Sequence, residues 1–168
     1  ASEAKAISDL CHTIHPVPPG SWWSSDCLDV FTSYYVTRHE INSSLSEQEM
    51  CLEIRRRLVS AVEKRLMSER EIGCLLSGGL DSSLIAALVS HMLKGYRLVD
   101  DEWKFFKEHE THLPVKTFSI GMKGSPDLKY AKKVAKRIGS DHNNIELSQS
   151  DFLNAIEDVI YRIESFDT

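Results

Sequence analysis

The chain has 168 residues, room for one domain or for one domain with part of another. Its 42% hydrophobic and 27% charged residues are those of an ordinary globular protein that folds without disulfide staples. A net charge of −5 argues against a general nucleic-acid or anionic-membrane binder, and no apolar stretch approaches the length of a membrane span. The first forty residues are punctuated by Pro16, Pro18, Pro19 and Gly20. Trp22-Trp23 and the run Val30-Phe31-Thr32-Ser33-Tyr34-Tyr35-Val36 follow, predicting short strands and a connecting arm, with the tryptophans as packing anchors. Residues 1–40 are therefore set apart from a second region, 41–168.

From Ser46 the pattern turns helical. Ser46 and Glu49 spell a capping box, and Cys51, Ile54, Leu58, Val62 and Leu66 recur on one helical stripe. Arg55, Arg56, Lys64 and Arg65 fall outside it, as a solvated face. The four cysteines, Cys11, Cys27, Cys51 and Cys74, form no CxxC pair and no zinc spacing. Cys51 and Cys74 read as small buried hydrophobes, and a reduced, cytoplasmic setting follows.

Ile72-Gly73-Cys74-Leu75-Leu76 is apolar without alternation, as in a parallel strand covered on both faces. Ser77-Gly78-Gly79-Leu80-Asp81-Ser82-Ser83 comes next, then a helix through Leu84-Ile85-Ala86-Ala87-Leu88-Val89. A strand, a glycine turn and a helix start offer backbone N–H groups and a positive dipole end to a phosphate. The glycines admit positive φ and close approach. Ser77, Ser82 and Ser83 add hydroxyls, and Asp81 is the candidate magnesium ligand. No lysine stands where a Walker A loop would place one. A plain Ser/Gly turn would account for any two of these seven residues, but not for all of them in this setting.

Residues 94–112, charged and without a clean period, read as an irregular insertion with at most a short helix. Val115-Lys116-Thr117-Phe118-Ser119-Ile120 is a second strand ended by Gly121. Ser125-Pro126-Asp127 starts a helix whose apolar face is Leu128, Ala131, Val134, Ala135 and Ile138, and Gly139 stops it. Asn144-Ile145-Glu146-Leu147 is a third strand. A last helix over 149–164 is expected to bury Phe152, Ile156, Val159, Ile160 and Ile163. The alternation predicts an α/β fold, a parallel twisted sheet with flanking helices whose ligand sits at the carboxyl ends of the strands.

The loop resembles the pyrophosphate loop of the ATP pyrophosphatases, which cleave ATP between its α and β phosphates. The block from Arg65 through the loop to Leu84 is similar to the glutamine-hydrolysing asparagine synthetases. The same family is matched in order by Thr117-Phe118-Ser119-Ile120-Gly121, by Gly124-Ser125-Pro126-Asp127-Leu128, and by Ala135, Ile138-Gly139 and His142. Asp158-Val159-Ile160-Tyr161 and Glu164-Ser165-Phe166-Asp167-Thr168 continue the match. Ala1-Ser2-Glu3-Ala4-Lys5-Ala6 resembles the last strands of that family's glutaminase domain, so residues 1–40 are expected to be a β-rich remnant of it with a connector. Residues 41–168 are expected to be the first half of an adenine nucleotide α-hydrolase-like, PP-loop synthetase domain.

The resemblance implies that the backbones of Leu75 and Ile120 hold the adenine and ribose side of ATP. Ser77, Gly78, Gly79, Asp81, Ser82 and Ser83 would take the pyrophosphate and Mg2+. It implies a cytoplasmic ligase acting on ATP, aspartate and ammonia released from glutamine, without nucleic acid or membrane, and a homodimer for the full-length protein. The family's glutaminase nucleophile is a cysteine at the very N-terminus, whereas position 1 here is Ala1, and further catalytic residues are expected downstream of Thr168, so the chain reads as the middle of a longer protein, inactive alone. The loop by itself also suits argininosuccinate, GMP and NAD synthetases and tRNA-thiolating enzymes. A β-lactam-forming synthetase and a non-catalytic nucleotide-binding remnant remain open at this stage. His142 reads as a packing or capping residue, and the seven histidines show no metal spacing.

Overall fold

The computed structural model describes residues 2–26, 30–36 and 44–165; Ala1, Cys27 and the Phe166-Asp167-Thr168 end of the last matched block lie outside them. Two units divide the chain: Leu45–Asn154 is one, and Ala1–Ser44 with Ala155–Thr168 is the other.

In the larger unit, α1 (Glu47–Glu63) begins with the expected capping box. The Ser46 N–H donates to the Glu49 carboxylate at 2.8 Å, and the Glu49 N–H donates back to the Ser46 hydroxyl at 3.4 Å. Those bonds from Ser46 hold the Glu49 carboxyl below its usual range. The buried stripe is narrower than predicted. Val59 and Val62 are buried with Val89, Met92 and Val115, while Cys51 and Ile54 are exposed. Among the described residues only the C-terminal half of α1 has a neighbour to cover it, and periodicity cannot say where that neighbour stops.

Three strands form a parallel sheet in the order β3 (Gly73–Leu75), β6 (Lys116–Met122), β7 (Asp141–Leu147). Cys74, Thr117 and His142 lie in register on one face, where α2 (Leu80–Leu93) and α3 (Pro126–Ile138) pack. Leu76, Ala86, Ala131 and Ala135 make the core beneath them. The opposite face is bare among the described residues: Leu75 is 84% exposed and Ile120 63%, with Phe118 and Ile145 beside them. The expectation that β3 is covered on both faces is therefore corrected. A run of apolar residues records that both faces are apolar, not that both have partners.

α3 follows its sequence closely. The Ser125 hydroxyl accepts from the Asp127 N–H, Pro126 opens the helix, and Gly139 closes it in the left-handed conformation. The segment read as an irregular insertion is instead a hairpin of β4 (Lys94–Val99) and β5 (Glu102–Glu110). Its turn is Asp100-Asp101, both with positive φ, between the paired residues Val99 and Glu102. That is the geometry of a two-residue type I′ turn, which aspartate tolerates better than most residues. The Asp101 carboxylate accepts from the Arg56 guanidinium on α1, and His91 of α2 stacks on Tyr96 of β4 at 4.2 Å. Charged outward positions hid the alternation of Tyr96 and Leu98 against Trp103 and Phe105. Trp103 is half-buried.

In the smaller unit, β1 (Ser21–Trp22) and β2 (Thr32–Ser33) pair antiparallel, in keeping with short strands there. Trp22 and Trp23 are exposed, not anchors as expected. Ala4–Ala6 is a 3-10 turn, not a strand. Its Ala4 and Lys5 N–H groups donate to the Glu164 carboxylate at 2.9 and 2.7 Å, which takes the donors a ladder would need. Glu164 accordingly titrates below its ordinary value. The last helix, α4 (Gln149–Ile163), forms where expected but buries none of its apolar stripe. Phe152 is 53% exposed, and Ile156, Val159, Ile160 and Ile163 are exposed with it.

Candidate functional site

β3 ends at Leu75, and the Leu76 N–H continues its pairing to the Phe118 carbonyl at 2.7 Å. The chain then turns through Ser77-Gly78-Gly79 into α2. The helix starts at Leu80, four residues earlier than its apolar run suggests, so Asp81, Ser82 and Ser83 all lie in its first turn. Its cap, Gly79, has no side chain to bond the N–H groups of the first turn.

The two glycines divide the work. Gly78 has φ +85°, and a Cβ there would sit 2.6 Å from the Ala131 nitrogen and 2.8 Å from the Asp127 carbonyl oxygen. It lets the loop lie directly against α3. Gly79 has φ −72° and faces open space, the only near atom being the Ser77 hydroxyl at 3.4 Å. Positive φ is thus required at Gly78 alone, while Gly79 keeps the helix mouth clear.

The hydroxyls hold the turn together. Ser77 and Ser82 are 2.8 Å apart, the Ser77 N–H donates to Ser82 Oγ at 3.2 Å, and the Gly79 N–H donates to Ser77 Oγ at 3.3 Å. Ser83 Oγ is buried with no hydrogen-bond partner. An orphaned hydroxyl costs about 1–3 kcal/mol unless something completes it. Asp81 is exposed, in the acidic first turn of α2. Ser77, Gly78, Gly79, Asp81, Ser82 and Ser83 therefore converge on one helix mouth. Leu75 lies on the strand entering it, one strand from Ile120 on the same bare face of the sheet.

Two supports of this mouth carried little signal in the sequence. The first is α3, whose first turns back Gly78. The second is a row of polar groups on the covered face, centred on His142, between Thr117 and Ser119. The alternation of Thr117 and Ser119 inside an apolar strand was the one sign of it. Clefts of the larger unit lie away from the loop. One of about 360 Å³ sits between α1 and the hairpin turn, lined by Arg56, Glu63 and Asp101, and takes in no loop residue. The loop presents its donors on an open surface. Among the described residues no group of three or more His, Cys, Asp or Glu could hold a metal on its own, so a cation here would need phosphate oxygens beside Asp81. No helix of the described residues is long and apolar enough to cross a membrane.

Fold and site together define an α/β protein with an uncapped helix mouth of glycines, serines and one aspartate at the carboxyl end of a parallel sheet. A family described as asparagine synthase matches residues 53–168. Asparagine synthetase (glutamine-hydrolysing) 1 of Arabidopsis thaliana is 39% identical over 167 residues, 99% of this chain and 27% of that protein. Asparagine synthetase B of Escherichia coli is 38% identical over 173 aligned positions, 99% of this chain and 29% of its own length. The human asparagine synthetase is 44% identical over 108 residues, 64% of this chain and 17% of that protein. The chain belongs to the asparagine synthase family, and it spans only about a quarter of the plant and bacterial relatives, at the 27% and 29% just given.

Proposed function

We propose that this chain is the ATP-binding part of a PP-loop synthetase domain that makes asparagine in the cytoplasm. The observation that carries the reading is the uncapped mouth of α2, with Gly79 clearing the approach and the buried Ser83 hydroxyl lacking a partner. The α-, β- and γ-phosphates of ATP supply the oxygens that this set of N–H and O–H donors lacks. The residues fit the group. Asp81 would share Mg2+ with the phosphates, and the Leu75 and Ile120 backbones would hold the adenine and ribose. The bound metal would neutralise charge that gathers on the departing pyrophosphate.

The loop's own part is electrostatic. Its N–H groups are fixed by the Ser77 and Ser82 bonds and by α3 before any substrate arrives, so no reorganisation is needed as charge develops. In the reaction proposed for the whole protein, a side-chain carboxylate oxygen of aspartate attacks the α-phosphorus of ATP. The bond to the β-phosphate breaks, leaving β-aspartyl-AMP and pyrophosphate. Ammonia, released from glutamine, then attacks the acyl carbon and loses a proton, and AMP leaves with the former carboxylate oxygen. Residues 1–40 are read as the end of a glutaminase domain with its connector and 41–168 as the first half of the synthetase domain. The partners of the whole protein would be these small molecules and a second copy of itself, with no nucleic acid or membrane.

The test follows one oxygen. The full-length protein is given aspartate carrying heavy oxygen in its side-chain carboxyl, with ATP·Mg and glutamine. This scheme sends one label into AMP. Label in inorganic phosphate, with ADP as the other product, would replace adenylation by γ-phosphoryl transfer and remove the proposed role of the loop.

A further inference from the structure

Beneath the site, His142 is bonded through both ring nitrogens. Nδ1 lies 2.9 Å from Thr117 Oγ1 and Nε2 lies 3.2 Å from Ser119 Oγ. The direction of these bonds can be worked out from their neighbours. The Ser119 hydroxyl donates to Asn144 Oδ1 at 3.0 Å, so its oxygen accepts, and the proton between it and His142 belongs to Nε2. Nδ1 is then bare and accepts from Thr117, whose oxygen lies 2.8 Å from the Ser140 hydroxyl, itself a donor to the Ala135 carbonyl at 3.4 Å. Asn144 Nδ2 passes the chain on to the Glu146 carboxylate at 3.1 Å, where Lys132 Nζ also sits, at 3.5 Å. From Thr117 to Glu146 every donor points the same way, an arrangement in which successive bonds polarise one another. Thr117 and Ser119 are buried, so a broken link would strand a hydroxyl in the core.

The row touches what the nucleotide site stands on. Thr117 and Ser119 alternate along β6 with Phe118 and Ile120, so holding them fixes the Ile120 backbone. Ser140 directly follows Gly139, the cap of α3, and its N–H donates to the Ala135 carbonyl at 3.1 Å. α3 is the helix that backs Gly78.

We propose that His142 is a positioning residue of the nucleotide site, a neutral Nε2–H imidazole that ties β6 and β7 to the end of α3 and so sets both the Ile120 backbone and the seat of the loop. The inference rests on the nucleotide reading above. Burial, and then the charge of Lys132, holds the His142 pKa below that of an ordinary imidazole, which keeps the ring neutral at neutral pH. Lys132 comes from α3, Glu146 and Asp141 from its own strand, and β6 offers it hydroxyls, Lys116 being paired with Glu71.

The experiment measures ATP·Mg affinity by calorimetry in the unaltered chain, His142→Phe, His142→Gln and Ser119→Ala, and reads the His142 tautomer by nitrogen NMR. His142→Phe should weaken ATP roughly tenfold, the size of one or two lost hydrogen bonds. His142→Gln, which keeps a donor toward Ser119, should recover most of that, and Ser119→Ala should lose a few-fold. The NMR signal should show Nε2 protonated and Nδ1 bare. An Nδ1–H tautomer, unchanged affinity in His142→Phe, or equal losses in the Phe and Gln variants would overturn the proposal. Should His142→Phe not fold, Ser119→Ala decides in the same way, full affinity counting against it. ATP failing to bind the unaltered chain would instead overturn the nucleotide reading, with the tautomer still read independently.

Discussion

Gly78 and Gly79 are adjacent and chemically identical, yet their surroundings give them different failures. At Gly78 an added methyl meets backbone on two sides in a left-handed conformation, which alone costs about 1–2 kcal/mol per residue. Gly78→Ala should therefore lower stability by roughly 2 kcal/mol or more, read from urea unfolding. At Gly79 the methyl meets one hydroxyl at ordinary contact distance and φ suits any residue, so the fold should be unharmed. The methyl would stand in the mouth of α2, and Gly79→Ala should lose ATP affinity with unfolding unchanged. Equal loss of stability in the two variants would show that the loop is a packing feature. That these seven residues form a glycine turn running into a helix start was legible from their types and order alone. Which glycine packs against the fold and which faces open space was not, because it depends on where α3 lies, about fifty residues further along the chain.

Among the elements, those with explicit start and stop signals came out as their residues spell them. Ser46 and Glu49 at α1, and Ser125, Pro126 and Gly139 at α3, are local chemistry and need no partner. The hairpin was missed because its signal, two aspartates at a turn, is weaker than Asn-Gly, and its strands carry charge on their open side. Burial was the least legible quantity. The apolar stripe of α4 is as regular as that of α1, but the one is exposed and the other partly covered, since burial belongs to a pair of elements. The difference is measurable. Met92, fully buried where α1, α2 and the hairpin residues meet, should cost about 2–5 kcal/mol as Met92→Ala. Phe152→Ser on the exposed stripe of α4 should stay within about 0.5 kcal/mol. Chemical denaturation of both variants checks this, and comparable losses would mean that the α4 stripe is packed in solution.

At the scale of the whole molecule, one face of the parallel sheet carries the helices and the core, and the other presents Leu75, Phe118, Ile120 and Ile145. The mouth of α2 lies at the end of β3, and Leu75 and Ile120, proposed to hold adenine, lie on the bare face, so in that proposal base and phosphates would lie along one edge of the sheet. Family membership was readable because several blocks recur in one order, from Arg65 to Glu164, a property of the chain that no single motif has. The central claim is that this edge binds ATP through the Ser77–Ser83 turn, and a calorimetric titration of ATP·Mg into the unaltered chain and into Asp81→Ala tests it most directly. The account predicts saturable binding to the unaltered chain and a loss of roughly tenfold or more in Asp81→Ala, with helical content unchanged. Equal affinity in the two, or no binding to either, would contradict it.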